Sequence, residues 1–129
     1  MEFSYLPEAE KSPLWPAIER LLQPAADYGD IDVFEDGDLV WIAFEGPTIF
    51  AAAVTRLLGD EAELRIAAGS RFKEWIGLLD ASVSAWARDC GADKLIMRGR
   101  KGWMRFADRF GWAVLGDDHK GRMMFAKEL

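Results

Sequence analysis

Cysteine occurs once in this 129-residue chain, at Cys90, and histidine once, at His119. A single thiol excludes a disulfide within the chain, and one thiol with one imidazole leaves a structural zinc ion without a ligand set. Long apolar runs are missing as well. A run such as Ile49 to Val54 falls far short of the roughly 20 residues that cross a bilayer, so no membrane partner is expected. The opening segment MEFSYLPEAEKS is acidic, with no basic stretch leading into an apolar one, so no signal peptide is expected and a cytoplasmic location is. Basic residues are scarce in the first half. Residues 1–63 hold only Lys11, Arg20 and Arg56 against fourteen acidic side chains, whereas residues 64–129 hold thirteen basic and eight acidic ones. The net charge of −6 therefore hides a bipolar chain. Such a chain pairs its halves internally, self-associates with a second copy or a protein partner, or offers a local anion site.

What is present in quantity is apolar. Half the residues are hydrophobic, with six Trp and eight Phe, which is ample for one packed core and excludes disorder over most of the chain. The length fits one domain over residues 1–129, with residues 1–11 an arm or edge strand. Ser12-Pro13 reads as a helix start, Leu14, Ile18, Leu21 and Leu22 follow at helical spacing, and Pro24 is expected to stop the run. The acidic segment from Gly29 to Asp38 leaves room for a short strand at Ile31 to Phe34. Leu39 to Glu45 is apolar on both faces, Leu39, Trp41 and Ala43 on one and Val40, Ile42 and Phe44 on the other, as in a strand covered on both sides.

Two further strands are predicted at Thr48 to Leu57 and Glu61 to Ala67, separated by the turn Gly59-Asp60. In the second, strict alternation puts Ala62, Leu64 and Ile66 on a core face and Glu61, Glu63 and Arg65 on an exposed one. Phe72, Trp75, Ile76, Leu79, Val83 and Trp86 form one apolar stripe, predicting a helix over about 71 to 90 with Ser70 as its cap and Cys90 buried at its end. A strand at Lys94 to Met97, a short helix through Trp103, Phe106 and Phe110, and strands at Trp112 to Leu115 and Met123 to Lys127 complete the chain. The fold class is therefore α/β in layers: a mixed, mostly antiparallel sheet flanked by helices. The strands before and after the long helix should run parallel.

Two basic groupings are candidate sites. Ser70, Arg71 and Lys73 stand where the helix dipole and free backbone amides favour an anion. Arg98, Arg100, Lys101, Arg105 and Arg109, with Trp103 among them, make a second anion-binding or partner-binding segment. Nucleic acid is not the expected ligand there, because no basic stripe extends beyond this segment. His119 falls in a polar strand-connecting loop without a nucleophile or metal-ligand partner in view.

The element order over roughly residues 12–127 resembles the GNAT acetyltransferase superfamily. The segment Gly99 to Trp112 carries the clearest echo, with Gly111-Trp112 on the family's Gly-Phe pair and Phe106 on its Leu. The resemblance implies an acetyl-CoA loop at the start of the long helix. That loop falls on Arg65-Ile66-Ala67-Ala68-Gly69-Ser70, where Ala68 and Ser70 replace two glycines. The family's proton-donating Tyr falls on Ala107, its Asn on Arg100 and its small Ala on Trp103, which projects near the pantetheine groove. A carboxylate on the strand before the long helix, here Glu63, would be the catalytic base by the same resemblance. These departures lead to the expectation of a non-catalytic binding or structural module of a phage-derived, virion-associated assembly, with no cofactor. The alternative is an N-acetyltransferase with an atypical acetyl-CoA site.

Overall fold

The structure, a computed structural model, describes residues 1–117 and 121–129, and of Lys101 the backbone alone. Its centre is a seven-stranded sheet in the order β1-β2-β3-β4-β5-β7-β6. The strands are β1 (Glu2–Leu6), β2 (Leu39–Glu45), β3 (Thr48–Leu58), β4 (Glu61–Gly69), β5 (Lys94–Gly99), β6 (Ala113–Asp117) and β7 (Met123–Glu128). All neighbours pair antiparallel except β4 and β5, which run parallel. The crossover between those two is the long helix α2 (Phe72–Asp89). The parallel pair follows the sequence expectation, and β1 lies at one edge of the sheet.

Two helices cover opposite faces of the sheet. Helix α1 (Trp15–Gly29) seals one core, where its Ile18, Leu22 and Ala26 meet Val40, Ile42, Val54 and Ile66. Helix α2 seals the other, where Trp75, Ile76, Leu79 and Val83 meet Trp41, Ala43, Leu64 and Phe125. The two-faced reading of β2 holds from Val40 to Phe44, since Trp41 and Ala43 enter the α2 core and Val40, Ile42 and Phe44 the α1 core, while Leu39 stays half-buried outside both. Helix α3 (Met104–Ala107) is a single turn flanked by 3-10 turns, ending at Gly111 in the left-handed conformation.

Several expectations are corrected. Pro24 does not stop α1, which runs on to Gly29. Proline inside a helix costs about 3 kcal/mol. Burying residues of the size of Ile18 and Leu22, both wholly enclosed, contributes roughly 1.5–3 kcal/mol each. Ala26, beyond the proline, is also wholly enclosed and holds the last turns on the sheet. Ser12 shapes a turn before the helix, accepting from the Leu14 amide (3.1 Å), and does not cap the helix itself. No strand forms at Ile31 to Phe34. Cys90 is exposed, because the chain turns at Gly91 and Ala92 takes the buried place.

The alternation expected in β4 breaks at Arg65. Val54 of β3 pairs with Ile66 and Thr55 with Leu64, so Arg65 is the extra residue of a β-bulge. The bulge changes which face the following side chains occupy. Ala62 and Leu64 pack in the α2 core, whereas Ile66 packs in the α1 core. Neither face is exposed, and Glu63 and Arg65 are both buried.

Candidate functional site

The parallel pair does not run the length of β4. Its partners on β5 are matched only from Glu61 with Lys94 to Leu64 with Met97. Beyond Leu64, β4 continues against β3 as far as Gly69, while β5, paired with β7 along its other edge from Lys94 onward, continues against β7 alone to Gly99. From Arg65 onward, the backbone groups of β4 that face away from β3 have no neighbouring strand among the described residues. A cleft of about 530 Å³ opens there, floored by Leu64 to Gly69 and bounded by Met97 to Arg100. Phe72 and Trp75 of α2 and Trp103 wall it on one side, and Leu21, Pro24, Ala25 and Tyr28 of α1 on the other. Trp103 packs against Gly99, where an added Cβ would lie 3.1 Å from its ring, and edge-on to Phe72.

The start of α2 differs from its sequence expectation. The residue at the cap position is Arg71, in the left-handed conformation, and Ser70 makes no side-chain capping bond. Ser70 is instead pinned by its backbone, its amide donating to Phe50 O (2.9 Å) and its carbonyl accepting from Trp75 Nε1 (2.8 Å). Gly69 explains this close approach: an added Cβ would stand 2.3 Å from Phe50 O, at a φ of 148°. The Arg71 guanidinium lies over the Phe50 ring and is held by Glu74 and by Glu45 (2.9 Å). Its hydrogen bonds hold both carboxyls below the ordinary glutamate value. The charge expected to strengthen an anion site is therefore spent on two carboxylates, and Lys73 is left exposed on the first turn.

Glu63 is not the exposed carboxylate foreseen. Both faces of the sheet are covered, and its side chain, 10% exposed, sits between Arg56 (3.5 Å) and Arg98 (3.4 Å). It does not line the cleft. Arg65, read as its exposed neighbour, is the centre of a buried cluster, with Asp38 at 2.6 Å and Glu35 at 3.0 Å. Burial raises the Asp38 carboxyl above its ordinary value, against the opposing pull of a backbone hydrogen bond and of Arg65. The second basic segment divides. Arg98 and Arg100 reach the cleft with Trp103, whereas Arg105 and Arg109 face solvent. His119 lies outside the described residues, as does the side chain of Lys101.

Sequence reasoning missed the α1 wall of the cleft. Arg20 and Tyr28 come from α1, and Arg122 immediately precedes β7. The Arg100 guanidinium stacks 4.6 Å from the Tyr28 ring. Arg122 occupies the space a side chain at Gly29 would need, 2.9 Å from an added Cβ, beside the last turn of α1. Five arginines line the cleft, counting Arg65 and Arg98, and no aspartate or glutamate is among the described lining residues. The signal that existed in the sequence was Arg20, one of only three basic residues in the acidic half.

Comparison with solved structures places this architecture. A Bacillus subtilis acetyltransferase in complex with CoA superposes with a TM-score of 0.75 at 13% identity, covering 99% of this chain and 98% of that one. A GNAT family acetyltransferase from Elizabethkingia anophelis with acetyl-CoA bound gives 0.72 at 15%, covering 99% of each. The fold is that of the GNAT acetyltransferases. A putative N-acetyltransferase from Lactobacillus plantarum shares this GNAT fold with a TM-score of 0.72 at 18% identity, over 100% of this chain and 99% of that one. No family model and no curated protein matches the sequence.

The expectation of no cofactor is corrected by these structures, since two of the three hold CoA or acetyl-CoA on the same GNAT fold. The expectation rested on side chains, Ala68 and Ser70 in place of glycines. The cleft is made by the backbone, through the divergence of β4 from β5, and those replacements leave it open. The reading as a non-catalytic module is likewise not supported, and the N-acetyltransferase alternative fits the solved structures better. Among the described residues, no helix is long and apolar enough to cross a membrane.

Proposed function

We propose that this protein is an acyl-CoA-dependent N-acyltransferase with an atypical cofactor site. The observation that carries the reading is the free inner edge of β4 from Arg65 to Gly69, opening onto a cleft of about 530 Å³. An extended chain bearing amides satisfies such an edge as a strand would. The pantetheine portion of CoA has that character, so Leu64 to Gly69 would hold it, with Phe72 and Trp103 against its apolar side. The first-turn amides of α2 are where its phosphates would lie, as at other helix starts. With Arg71 paired to Glu45 and Glu74, that attraction comes from the backbone more than from side chains.

When bound, acyl-CoA supplies a thioester, which an amine attacks to give an amide and release the thiol. The chain's own part is to place the amine and to exclude water. Among the described residues, no Asp, Glu, His, Lys or Cys lines the cleft. Glu63 is not positioned as a base from this side, being held between two arginines. An amine entering the cleft therefore arrives neutral or gives its proton to water.

Thermal unfolding with acetyl-CoA, followed by a thiol-release assay with a panel of amines, tests the reading. A ligand at a hundredfold excess over its Kd stabilises by about 2.7 kcal/mol, a shift of the order of 5–10 °C for a domain of this size. The expected result is such a shift together with amine-dependent thiol release. A protein whose melting is unmoved by millimolar acetyl-CoA, and which releases no thiol, would overturn it.

A further inference from the structure

The unusual property of the cleft is its charge. The chain carries a net −6, yet the described residues that line this cavity include five arginines and no carboxylate. Carboxylates behind the wall match Arg65, held by Asp38 and Glu35, and Arg98, held by Glu63 at 3.4 Å. Arg20 and Arg100 have no carboxylate partner among the described residues. Arg20 Nε donates to the Pro16 carbonyl one turn earlier on α1 (3.3 Å), which leaves its charge uncompensated. Arg100 is steadied by the Tyr28 ring, a contact that orients a guanidinium without neutralising it. Arg122 stands beside Gly29, its guanidinium 2.9 Å from where an added Cβ would lie.

These residues come from α1 and from the ends of β5 and β7. They lie across the cleft from Phe72, Trp75 and the start of α2, where the phosphates of a CoA would be held. A guanidinium presents paired donors that match a carboxylate or phosphate in two-point contact. We infer that the acyl acceptor is a small amine carrying an anionic group, a carboxylate or a phosphate, received by Arg100 and Arg20 on the α1 side of the cleft. The inference rests on the acyltransferase reading, and it names the acceptor class for the same site. A cationic acceptor such as a polyamine is disfavoured by the same charges.

The test separates the two claims. CoA affinity is first measured by calorimetry for the native protein, Arg100→Ala and Arg20→Ala. The CoA-saturated proteins are then titrated with O-phosphoethanolamine, glutamate and cadaverine, with binding followed by ligand-observed NMR. The expected result is that phosphoethanolamine or glutamate binds and cadaverine does not. Each arginine variant should weaken the anionic amine about tenfold or more while leaving CoA affinity within twofold. Which of the two anionic probes binds more tightly distinguishes a phosphate-bearing from a carboxylate-bearing acceptor. Cadaverine binding in preference to both, or no binding of either anionic probe up to 10 mM (about 2.7 kcal/mol of affinity), overturns the inference while the acyltransferase reading stands. Loss of CoA affinity in Arg100→Ala with no change in amine binding also overturns it, because the arginines would then hold the cofactor's phosphates. No CoA binding by the native protein removes the acyltransferase reading and the inference with it.

Discussion

Arg71 and Arg100 both belong to basic groupings visible in the sequence, and the structure treats them differently. At the start of α2, Arg71 is drawn to Glu45 and Glu74, so the positive charge is consumed at the surface. On the α1 side, Arg20 and Arg100 line the cleft, with no carboxylate among its described lining residues. The difference lies in what packs beside each arginine. Glu74 follows Arg71 by three residues on one helix, and Glu45 ends the strand next to the one that carries Phe50. Arg100 instead meets the face of Tyr28. A basic residue counts toward an anion site only after its partners have been assigned.

The largest expected effect comes from the arginine that belongs to the cleft wall but is fully spent. Arg65 is 2% exposed in its side chain and bound to Asp38, itself wholly enclosed. Arg65→Ala leaves a buried carboxylate without its cation, which typically costs about 3–5 kcal/mol. Urea unfolding should show a loss of that size. A loss within the range of an exposed ion pair, about 1 kcal/mol or less, would show that Arg65 is available to a ligand after all.

Next in size is Gly69→Ala. An added methyl would meet Phe50 O and Ala51 Cα at 2.3 and 2.5 Å, at a φ that L side chains rarely adopt. A destabilisation of about 1–3 kcal/mol is expected. The same shift of the chain should weaken acetyl-CoA, because it moves the amides at the start of α2. Unchanged stability would mean that β3 and β4 tolerate separation at this end.

The smallest effect is one of pH. Arg71 holds Glu45 and Glu74 below their ordinary value of 4.5 in the folded protein. Groups lowered in this way contribute stability above the ordinary value, and that contribution is lost as the pH falls through the lowered folded values. Arg71→Ala should therefore lower stability slightly at neutral pH, and the loss should shrink as the pH falls below about 5, so that the acid side of its profile is flatter than that of the native protein. Asp38, raised by burial, works in the opposite direction in both proteins and cancels from the comparison. A profile that stays parallel to that of the native protein would show that the Arg71 pairs are not formed in solution.

Much of the fold was legible. The two-faced apolar run of β2, the stripe on α2 and the parallel β4–β5 pair are consequences of period and order, which a sequence displays directly. What failed depended on contacts distant in sequence. The bulge at Arg65 is a mismatch of one residue between β3 and β4, and the alternation of Glu61 to Ala67 conceals it. The continuation of α1 through Pro24 depends on the burial of Ala26 by the sheet. The site was half visible. Arg98, Arg100 and Trp103 stood out as a basic segment with an aromatic, and they do reach the cleft. Arg20, Tyr28 and Arg122 are brought there only by the packing of α1 and the register of β7. The absence of loop glycines misled because the cleft depends on where β5 leaves β4, a property of backbone pairing.

The central claim is that the gap between β4 and β5 receives acyl-CoA. Ala67 lines that gap, half-buried in the middle of the free edge. Calorimetric titration of the native protein and Ala67→Phe with acetyl-CoA, with both melts recorded to confirm folding, tests it most directly. The expected result is micromolar binding by the native protein and a loss of about tenfold or more in the variant, near 1.4 kcal/mol at least. Equal affinity in the two folded proteins, or no binding to the native one, would contradict the claim.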